Sequence, residues 1–481
     1  MVSAVGSGNL TGSSRKNRVA RNDHEGLGGR QGKERHILPW GLILKRLSAK
    51  FLQPVAGWVP EDRSNAYHRE GAVHHVTALV IFTVSYLGIA LGHVPGLALD
   101  RVGIALLGAI AMVVFGVVTP ADAVSSIDFA TICLLYALMI ISAQLRLGGF
   151  YNYTASKTTE LLERPKLFLL VLMMVSAVLS ALLANDIICF AMTPMLVYAL
   201  KRSGRLPLPF LIGLALSSNI GSAATLIGNP QNMLIGQVGR LDFMDFFIWA
   251  APPSLLALGI AYLFILLVYR NRMEPQPVEY SSDSHPDWPV FDRWQTAKGL
   301  LAIASLVGLF LTDLPRDVSA LAIAAVLLCS RKMETREILG LVDWHLITLF
   351  CALFVIIHGI SQGDMPGMLV RDLAEKGFDL RDLNMLAGLS TVLSNVFSNV
   401  PAVMLLKGFL QTTDPDQWYT LAVSSTFAGN LFLLGSIANL IVVEKAAEQN
   451  VRLGFRDHAM IGVPVTLASL VILMIWTYVA G

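Results

Sequence analysis

Charge is scarce in this sequence of 481 residues: Asp, Glu, Lys and Arg together make up 15% of the chain, whereas 54% of it is hydrophobic. The mean hydropathy is +0.60. So few charges exclude a soluble globular protein, whose surface needs more of them. Several apolar runs of about 17 residues or more are long enough to cross a bilayer. The composition therefore predicts a multi-pass integral protein of the lipid bilayer, and we expect a bacterial inner or plasma membrane.

Cysteine and catalytic motifs are also rare or absent. Four cysteines lie in apolar segments without metal-ligand spacing, which favours small buried hydrophobic residues: Cys133, Cys189, Cys329 and Cys351. Gly-x-Ser-x-Gly, His-Glu-x-x-His and a phosphate-binding loop are missing, so the chain is not expected to be an enzyme, to use ATP or to need a cofactor. The basic first 70 residues lack interleaved aromatic residues or a nucleic-acid-binding signature, so no nucleic-acid partner is expected.

A polar stretch interrupts an apolar region at residues 212–239, which read IGLALSSNIGSAATLIGNPQNMLIGQVG. Gly228 and Pro230 would break a helix there and free backbone groups for other partners. Discontinuous membrane helices of this kind form ion and substrate sites in secondary transporters. A packing face of small residues could explain Gly221 and Ser222, but not Asn229–Pro230. The candidate site residues in this stretch are Ser218, Asn219, Gly228, Asn229, Pro230 and Asn232.

A looser copy of this stretch follows about 207 residues later, as SSTFAGNLFLLGSIANLIVVE over residues 424–444. Its candidate residues are Asn430, Gly435, Ser436 and Asn439. Three pairs set the register, namely Asp128 with Asp343, Asn185 with Asn399, and Gly228 with Gly435, at offsets of 215, 214 and 207. Matching order at a nearly constant offset indicates an internal duplication.

The duplication predicts an all-α membrane protein with two inverted repeats. Each repeat is expected to contain five transmembrane helices, a re-entrant hairpin and a helix broken at the membrane midplane, and an odd number of crossings inverts the second repeat. The expected segments are a disordered basic arm (1–35), an amphipathic interfacial segment (36–72), the first repeat (73–270), a polar linker (271–296) and the second repeat (297–481). A membrane-spanning role for part of 36–72 remains an alternative.

Loop charge orients this arrangement. The positive-inside rule places the loop after Lys201 in the cytoplasm. It would leave the basic N-terminal arm outside, and the side of that arm stays open. Gln144 and Arg146 end an apolar helix and are expected to reach the membrane surface.

Each predicted hairpin has a polar tip between two arms that are too short to span a bilayer. The first tip is Asn185–Asp186, and the second contains Ser398, Asn399 and Pro401. Carbonyl, amide and hydroxyl oxygens suit a hard cation such as Na⁺, whereas freed helix N-termini suit an anion. The expected Na⁺ ligands are Asn185, Gly228, Ser398, Asn399 and Gly435.

Asp186 is the one acidic residue among these candidates. A carboxylate within the membrane can bind a proton because desolvation disfavours its charged form, so Asp186 is the candidate for proton or cation coupling. The alternative is that Asp186 caps the N-terminus of the second hairpin arm. For Asp128 and Asp343, which each precede an apolar helix, N-capping is the favoured prediction.

The stretches NIGSAATLIGNPQN (Asn219–Asn232) and AGNLFLLGSIAN (Ala428–Asn439) resemble the signature helices of the ion transporter superfamily. The superfamily includes ArsB-type arsenite permeases, citrate-transporter-like permeases and divalent anion/sodium symporters of the SLC13-DASS type. The resemblance extends over residues 72–481. It implies secondary active transport of a small anion (a carboxylate, an inorganic oxyanion or an arsenite-like solute) coupled to H⁺ or Na⁺. It also implies elevator-type alternating access by a hairpin-bearing core, and a homodimer.

The hairpin tips depart from one branch of that superfamily. In the divalent-anion symporters both tips resemble Ser-Asn-Thr, whereas Val400 follows Ser398–Asn399 here and the first tip reads Ala184-Asn185-Asp186. The Asn-Asp tip is more similar to the arsenite permeases. A cation/proton antiporter of the Na⁺/H⁺ type, with Asp186 as the exchanging carboxylate, is the first alternative. An intramembrane enzyme or receptor is a remote one.

Overall fold

The computed structural model describes residues 63–92, 97–270, 290–362, 379, 381–410 and 414–480, with side chains from residue 74 onward. From Tyr67 onward the described residues belong to one compact unit, Tyr67–Gly481. The expected arm 1–35, residues 36–62 of the interfacial segment and residues 271–289 of the linker lie outside the described residues. The described part of the segment 36–72 is helical from Arg63 and continues into the first long helix.

The described residues form helices and no strands, which confirms the all-α prediction. The helices before the linker are α1 (Arg63–Leu91), α2 (Arg101–Val114), α3 (Pro120–Ser125), α4 (Phe129–Leu147), α5 (Phe150–Thr159), α6 (Pro165–Leu182), α7 (Asn185–Arg202), α8 (Leu208–Ser222), α9 (Pro230–Val238) and α10 (Phe243–Tyr269). Those after it are α11 (Arg293–Phe310), α12 (Arg316–Leu328), α13 (Thr335–Gly340), α14 (Trp344–Ser361), α15 (Leu383–Phe397), α16 (Asn399–Leu406), α17 (Pro415–Ala428), α18 (Ile437–Ala447) and α19 (Phe455–Ala480).

The element order of the first set recurs in the second. The short helix α3 and the long helix α4 each begin 215 residues before their counterparts α13 and α14. Asp128 caps α4 by accepting a hydrogen bond from Thr131 N at 2.8 Å, and Asp343 caps α14 by accepting one from Leu346 N at 2.9 Å. Both predicted N-caps are confirmed, and the two helices begin in the same way.

The helices exchange partners between the two sets. Helix α2 packs against α14, and α12 packs against α4. These two contacts are equivalent. Helix α12 is the counterpart of α2, and α14 is the counterpart of α4. The packing is therefore reciprocal, as it is across a two-fold axis.

Lipid-facing surface surrounds this core. Six helices are long and apolar enough to cross a membrane, by length and composition, in the part of the chain that the structure describes: His74–Leu91, Phe129–Leu147, Pro165–Leu182, Phe243–Tyr269, Trp344–Ser361 and Phe455–Ala480. Large apolar side chains on several of them are exposed, as Val84, Leu263 and Val471 are. A contiguous apolar exterior of this kind fits a bilayer as solvent.

The centre of the unit is occupied by α8 and α17. Residues 209–222 of α8 and residues 417–428 of α17 are all buried. Helix α8 packs on α6, α7 and α10, whereas α17 packs on α15 and α19. Their Ser, Thr and Asn side chains are therefore enclosed by protein and can find hydrogen-bond partners only within it.

Candidate functional site

Both predicted helix breaks are present. Helix α8 ends at Ser222 and α9 begins at Pro230, with the side chain of Asn229 accepting a hydrogen bond from Asn232 N at 2.8 Å. Helix α17 ends at Ala428, and α18 begins at Ile437 after a 3₁₀ turn. The breaks leave N-terminal N–H groups and C-terminal carbonyl groups without partners inside a helix.

One asparagine holds each break together, and the two asparagines occupy equivalent positions. Asn232 Nδ2 donates to Thr225 O at 3.0 Å and to Ser222 O at 3.3 Å, both within its own broken helix. Asn439 Nδ2 donates to Gly429 O at 2.8 Å and to Phe432 O at 3.4 Å. In each case the acceptors lie seven and ten residues before the asparagine, so the two breaks have the same hydrogen-bonding pattern.

Close backbone contact explains the glycine of the first break. A Cβ atom on Gly228 would lie 2.3 Å from Ser222 O and 2.6 Å from Ser222 Cα. Both neighbours are backbone atoms and cannot move aside as a flexible side chain could. The chain can therefore turn back on the end of α8 here only without a side chain at residue 228.

The hairpins turn within one or two residues. Helices α6 and α7 are separated by Leu183 and Ala184 alone, and α15 and α16 by Ser398 alone. Ser398 has φ 78° and ψ 158°, a backbone conformation that is almost restricted to glycine. Such strain persists only where the surroundings enforce it, and it clusters at ligand sites. The first tip contains no residue with positive φ, so the two turns differ.

Each hairpin tip is bound to the break of its own half. Asn185 N donates to Gly228 O at 3.1 Å, and Ser218 Oγ donates to Asn185 O at 3.1 Å. In the second half, Asn399 Nδ2 donates to Gly435 O at 3.2 Å and to Ser425 O at 3.1 Å, in the orientation of the Asn399 amide that satisfies these two acceptors.

Asn219 links the first hairpin tip to both broken helices. Its Oδ1 accepts hydrogen bonds from Asn185 Nδ2 at 3.0 Å and from Ser436 Oγ at 3.0 Å. Its Nδ2 donates to Asn430 Oδ1 at 3.0 Å and to Asn439 Oδ1 at 3.1 Å. All four bonding directions of one buried amide are thus used, three of them toward the second half.

Thr426 makes the reciprocal contacts. It lies 207 residues after Asn219. Thr426 Oγ1 donates to Ala422 O at 2.8 Å, accepts from Asn229 Nδ2 at 3.2 Å and lies 3.4 Å from Asn232 Oδ1. The offset of 207 residues relates Asn229 to Ser436 and Asn232 to Asn439. Asn219 and Thr426 therefore contact equivalent residues of the opposite break.

Both tips and both breaks border one small cavity of about 20 Å³. Its lining comprises Asn185, Asp186, Pro230, Gln231, Leu346, Ser398, Asn399, Val400, Ser436 and Ile437. The Oδ1 of the lining residue Asn185 is buried and accepts no hydrogen bond from the described residues. A volume near the ~10–15 Å³ needed for one probe sphere holds a single water molecule or ion.

The remaining candidates stand behind this cavity. Ser218, Asn219, Gly228, Asn229, Asn232, Asn430, Gly435 and Asn439 do not line it, and most of them hold the tips and breaks in place through the bonds above. Pro401 does not line it either: its carbonyl accepts a hydrogen bond from the Tyr86 hydroxyl at 3.3 Å. Four lining residues were not predicted from the sequence, namely Gln231, Leu346, Val400 and Ile437.

Asp186 borders a second, larger cavity of about 190 Å³. This cavity is lined by Met139, Ser142, Ala143, Arg146, Asp186, Ile187, Phe190, Leu341, Asp343 and Ile441. Asp186 does not cap α7, because no side chain forms an N-cap hydrogen bond at that helix. It forms no hydrogen bond or ion pair with any residue in the described ranges.

The expectation that Gln144 and Arg146 both reach the membrane surface is wrong. Gln144 is fully buried, and its Nε2 donates to Gln295 Oε1 at 3.0 Å and to Gln295 O at 3.2 Å. Arg146 is half-buried in the larger cavity. Residues distant in sequence enclose both side chains: Gln295 pairs with Gln144, whereas Phe190 and Ile441 line the cavity around Arg146. In the described part of the chain, no group of three or more His, Cys, Asp or Glu could hold a metal ion.

Comparison with known proteins identifies the family of this chain. The model of the family described as "Citrate transporter" matches residues 78–428. Silicon efflux transporter LSI3 of Oryza sativa subsp. japonica is 29% identical over 463 residues, covering 82% of this chain and 95% of that protein. Putative transporter arsB of Dictyostelium discoideum is 24% identical, covering 85% and 93%.

Two further matches agree. Inner membrane protein YbiR of Escherichia coli is 30% identical over 342 residues, covering 69% of this chain and 84% of that protein. The structure of the YdaH transporter of Alcanivorax borkumensis superposes with a TM-score of 0.53 at 14% identity, covering 85% of this chain and 97% of that one, which is a likeness of fold. The resemblance to the ion transporter superfamily is thereby confirmed, and the chain, a multi-pass membrane transporter and not an enzyme, belongs to the citrate transporter family.

Proposed function

We propose that this protein is a secondary active transporter that moves a small anion coupled to H⁺ or Na⁺, with both ligands bound where the hairpin tips meet the helix breaks. One observation carries the proposal: residues of both tips and of both broken helices line the same 20 Å³ cavity. In secondary transporters, irregular backbone within a membrane lines a substrate or ion site.

The chemistry of the small cavity suits the coupling ion. Asn185, which lines it, has a buried Oδ1 without a hydrogen-bond donor among the described residues, and Asp186 lines it as well. The Ser398 and Ser436 side chains add hydroxyl oxygens to the lining. Oxygen ligands of this kind suit Na⁺, whereas Asp186 alone would serve for a proton.

Reciprocal contacts support an inverted duplication with alternating access. Asn219 contacts Ser436 and Asn439, whereas Thr426 contacts Asn229 and Asn232. A two-fold relation between the halves requires this exchange. Two halves of opposite direction can present one site to either side of the bilayer by moving against each other. We infer an elevator-type movement of the hairpin-bearing core, in a homodimer.

The substrate class follows from chemistry shared among the relatives. The family is described by citrate, and two relatives are named for silicon efflux and for arsB. Citrate, and the arsenite that permeases of the resembled superfamily carry, are both small, oxygen-rich solutes. Amide N–H groups, hydroxyl groups and helix N-termini at the breaks are suited to bind such oxygens. We therefore infer a carboxylate, an inorganic oxyanion or an arsenite-like solute.

Uptake into proteoliposomes tests the proposal. Labelled citrate, sulfate, arsenate and arsenite are offered with either an inward H⁺ or an inward Na⁺ gradient. Asn185→Ala and Asn399→Ala should each abolish uptake without loss of the folded, inserted protein. Uptake that is unaffected in both variants would remove the hairpin tips from the transport site.

A cation/proton antiporter is the second candidate. The observation that favours it is the Asp186 carboxylate, which has no partner in the described ranges and borders both cavities. Fluorescent pH indicators inside the same proteoliposomes detect Na⁺/H⁺ exchange in the absence of any anion substrate. Exchange without flux of any of the four solutes would establish the antiporter and refute anion transport.

A further inference from the structure

The larger cavity has the size and position of an entry chamber. Its volume of about 190 Å³ corresponds to several water molecules at ~30 Å³ each. It shares Asp186 with the small cavity at the hairpin tips. The two cavities therefore adjoin at Asp186, in the first turn of α7.

Arg146 gives this chamber an available cation. Its guanidinium carbon lies 4.2 Å from the centre of the Phe190 ring. Stacking on an aromatic ring orients the planar guanidinium and leaves its N–H groups free to bind a ligand. No carboxylate lies within ion-pair distance of Arg146, and no acceptor within hydrogen-bond distance, among the residues that the structure describes. A half-buried guanidinium left without an acceptor is suited to bind an anion.

A second cation lies beside the same ring. Lys445 Nζ is 4.7 Å from the centre of the Phe190 ring and pairs with Glu448 at 2.5 Å. Lys445 is one helical turn after Ile441, which lines the chamber. Because its charge is already balanced by Glu448, it adds less to the potential in the chamber than Arg146 does.

The two carboxylates of the chamber differ in what holds them. Asp343 is engaged as the N-cap of α14 through Leu346 N. Asp186 has no such partner in the described ranges. Asp186 is therefore the carboxylate of the chamber that no hydrogen bond holds, and its removal should reduce the repulsion that an anion meets there.

We propose that the chamber around Arg146 is an anion-binding site on the path to the hairpin tips, and that it takes a carboxylate or a charged oxyanion. This inference rests on the proposed transport function and names the substrate class as charged. An undissociated acid such as arsenous acid would gain little from the guanidinium. Arg146 and Lys445 lie at helix ends that the positive-inside rule places in the cytoplasm, so the chamber opens to that side.

Citrate binding to the purified full-length protein tests the chamber, with affinity expressed per citrate trianion so that the titration of citrate itself is removed. Arg146→Gln should weaken binding at least tenfold. Arg146→Lys should restore part of the affinity, since an ammonium keeps the charge but loses the planar fork. The matched control is Lys157→Gln, which removes an exposed lysine paired with Glu160 at 2.6 Å.

The charge at residue 186 gives a readout that a structural role of Arg146 would not change. Asp186→Asn, compared with the wild type at one pH, should bind citrate more tightly, because the substitution removes a negative charge from the chamber. Besides Asp186, the charged groups at the chamber are Arg146 from α4, Asp343 from the start of α14, and the Lys445–Glu448 pair from α18.

The outcomes separate the inference from the proposed function. If the wild-type protein binds none of citrate, sulfate, arsenate or arsenite, anion transport itself fails. If it binds citrate and Arg146→Gln binds it equally well, only the chamber inference fails. If the double variant Arg146→Gln/Asp186→Asn regains wild-type affinity, Arg146 is merely the counter-ion of Asp186, and the inference is overturned. Arsenite binding by Arg146→Gln at the wild-type level would support the preference for a charged solute.

Discussion

Asn219 and Thr426 occupy equivalent positions in the two broken helices and each reaches across to the other break. Asn219 bonds to Ser436 and Asn439, whereas Thr426 bonds to the equivalent Asn229 and contacts the equivalent Asn232. The hydrogen bonds that Asn219 and Thr426 make across the junction differ in length. Asn219 makes four side-chain hydrogen bonds of 3.0–3.1 Å, whereas the contacts of Thr426 with the first break are 3.2–3.4 Å. Asn219 therefore makes more of the hydrogen bonds across the junction than Thr426 does.

Removing the Asn219 amide should weaken the junction and stop transport. Asn219→Ala leaves several buried polar groups without partners, and we expect a loss of about 1–3 kcal/mol in the free energy of unfolding. Thermal unfolding in detergent and uptake in proteoliposomes measure the two effects. Asn384→Ala, at an exposed position of α15, is the control and should change neither. An Asn219→Ala variant that is as stable and active as the control would contradict the central role of this amide.

A methyl group at Gly228 should disrupt the first break. The added Cβ would meet Ser222 O at 2.3 Å, so Gly228→Ala must displace either the break or the hairpin tip bound to it, and we expect transport to be lost. Gly259→Ala in α10 is the matched control, because a Cβ there meets nothing within 4 Å. Alanine in a helix interior is favoured over glycine by about 1 kcal/mol, so the control should unfold at the same or a higher temperature. Normal uptake by Gly228→Ala would show that the close approach has no functional consequence.

The backbone angles of Ser398 should lower the stability of the protein, whereas its hydroxyl group should contribute to transport. Glycine adopts the backbone angles of Ser398 without cost, so Ser398→Gly should be more stable than Ser398→Ala by about 1–3 kcal/mol. Both variants lack the hydroxyl group, and both should transport less. Comparing their unfolding temperatures isolates the strain, and comparing their uptake with that of the wild type isolates the hydroxyl. Equal stability of the two variants would mean that the tip relaxes at no cost.

The orientation in the membrane can be read with inserted reporters. A reporter placed after Lys201 should be cytoplasmic, because basic loops are retained on that side. A reporter after Asp313, in the exposed turn between α11 and α12, should be external. Enzymatic reporters active on one side only provide the measurement in intact cells. Finding both reporters on one side would be incompatible with a single crossing by α11 in the inverted arrangement.

Local chemistry made the breaks and the tips predictable. Gly228 and Pro230 cannot continue a membrane helix, and the polar Asn185–Asp186 pair cannot lie in lipid without partners. The capping roles of Asp128 and Asp343 were predictable for the same local reason, since a side chain three residues before an N–H needs no distant partner. Thr426 carried a detectable signal as well: the offset of 207 residues that aligns Gly228 with Gly435 also aligns Asn219 with Thr426.

The residues that were missed or misplaced depend on distant segments. Gln144 was expected at the surface, but it is buried against Gln295, 151 residues away. Leu346 joins the small cavity because α14 comes close to the two tips, and Arg146 lies in a chamber completed by residues of α7 and α18. Neither periodicity nor composition indicates which helices will become neighbours.

By itself, the sequence determined that this protein is a helical membrane protein with two interrupted, duplicated segments, because breaking a helix and crossing a bilayer depend on neighbouring residues and on total hydropathy. Only the tertiary structure decided that these segments exchange partners, that one amide connects three irregular regions, and that Arg146 shares a chamber with Asp186. Those relations join residues up to about 300 positions apart, and only the packing of the buried helices selects them.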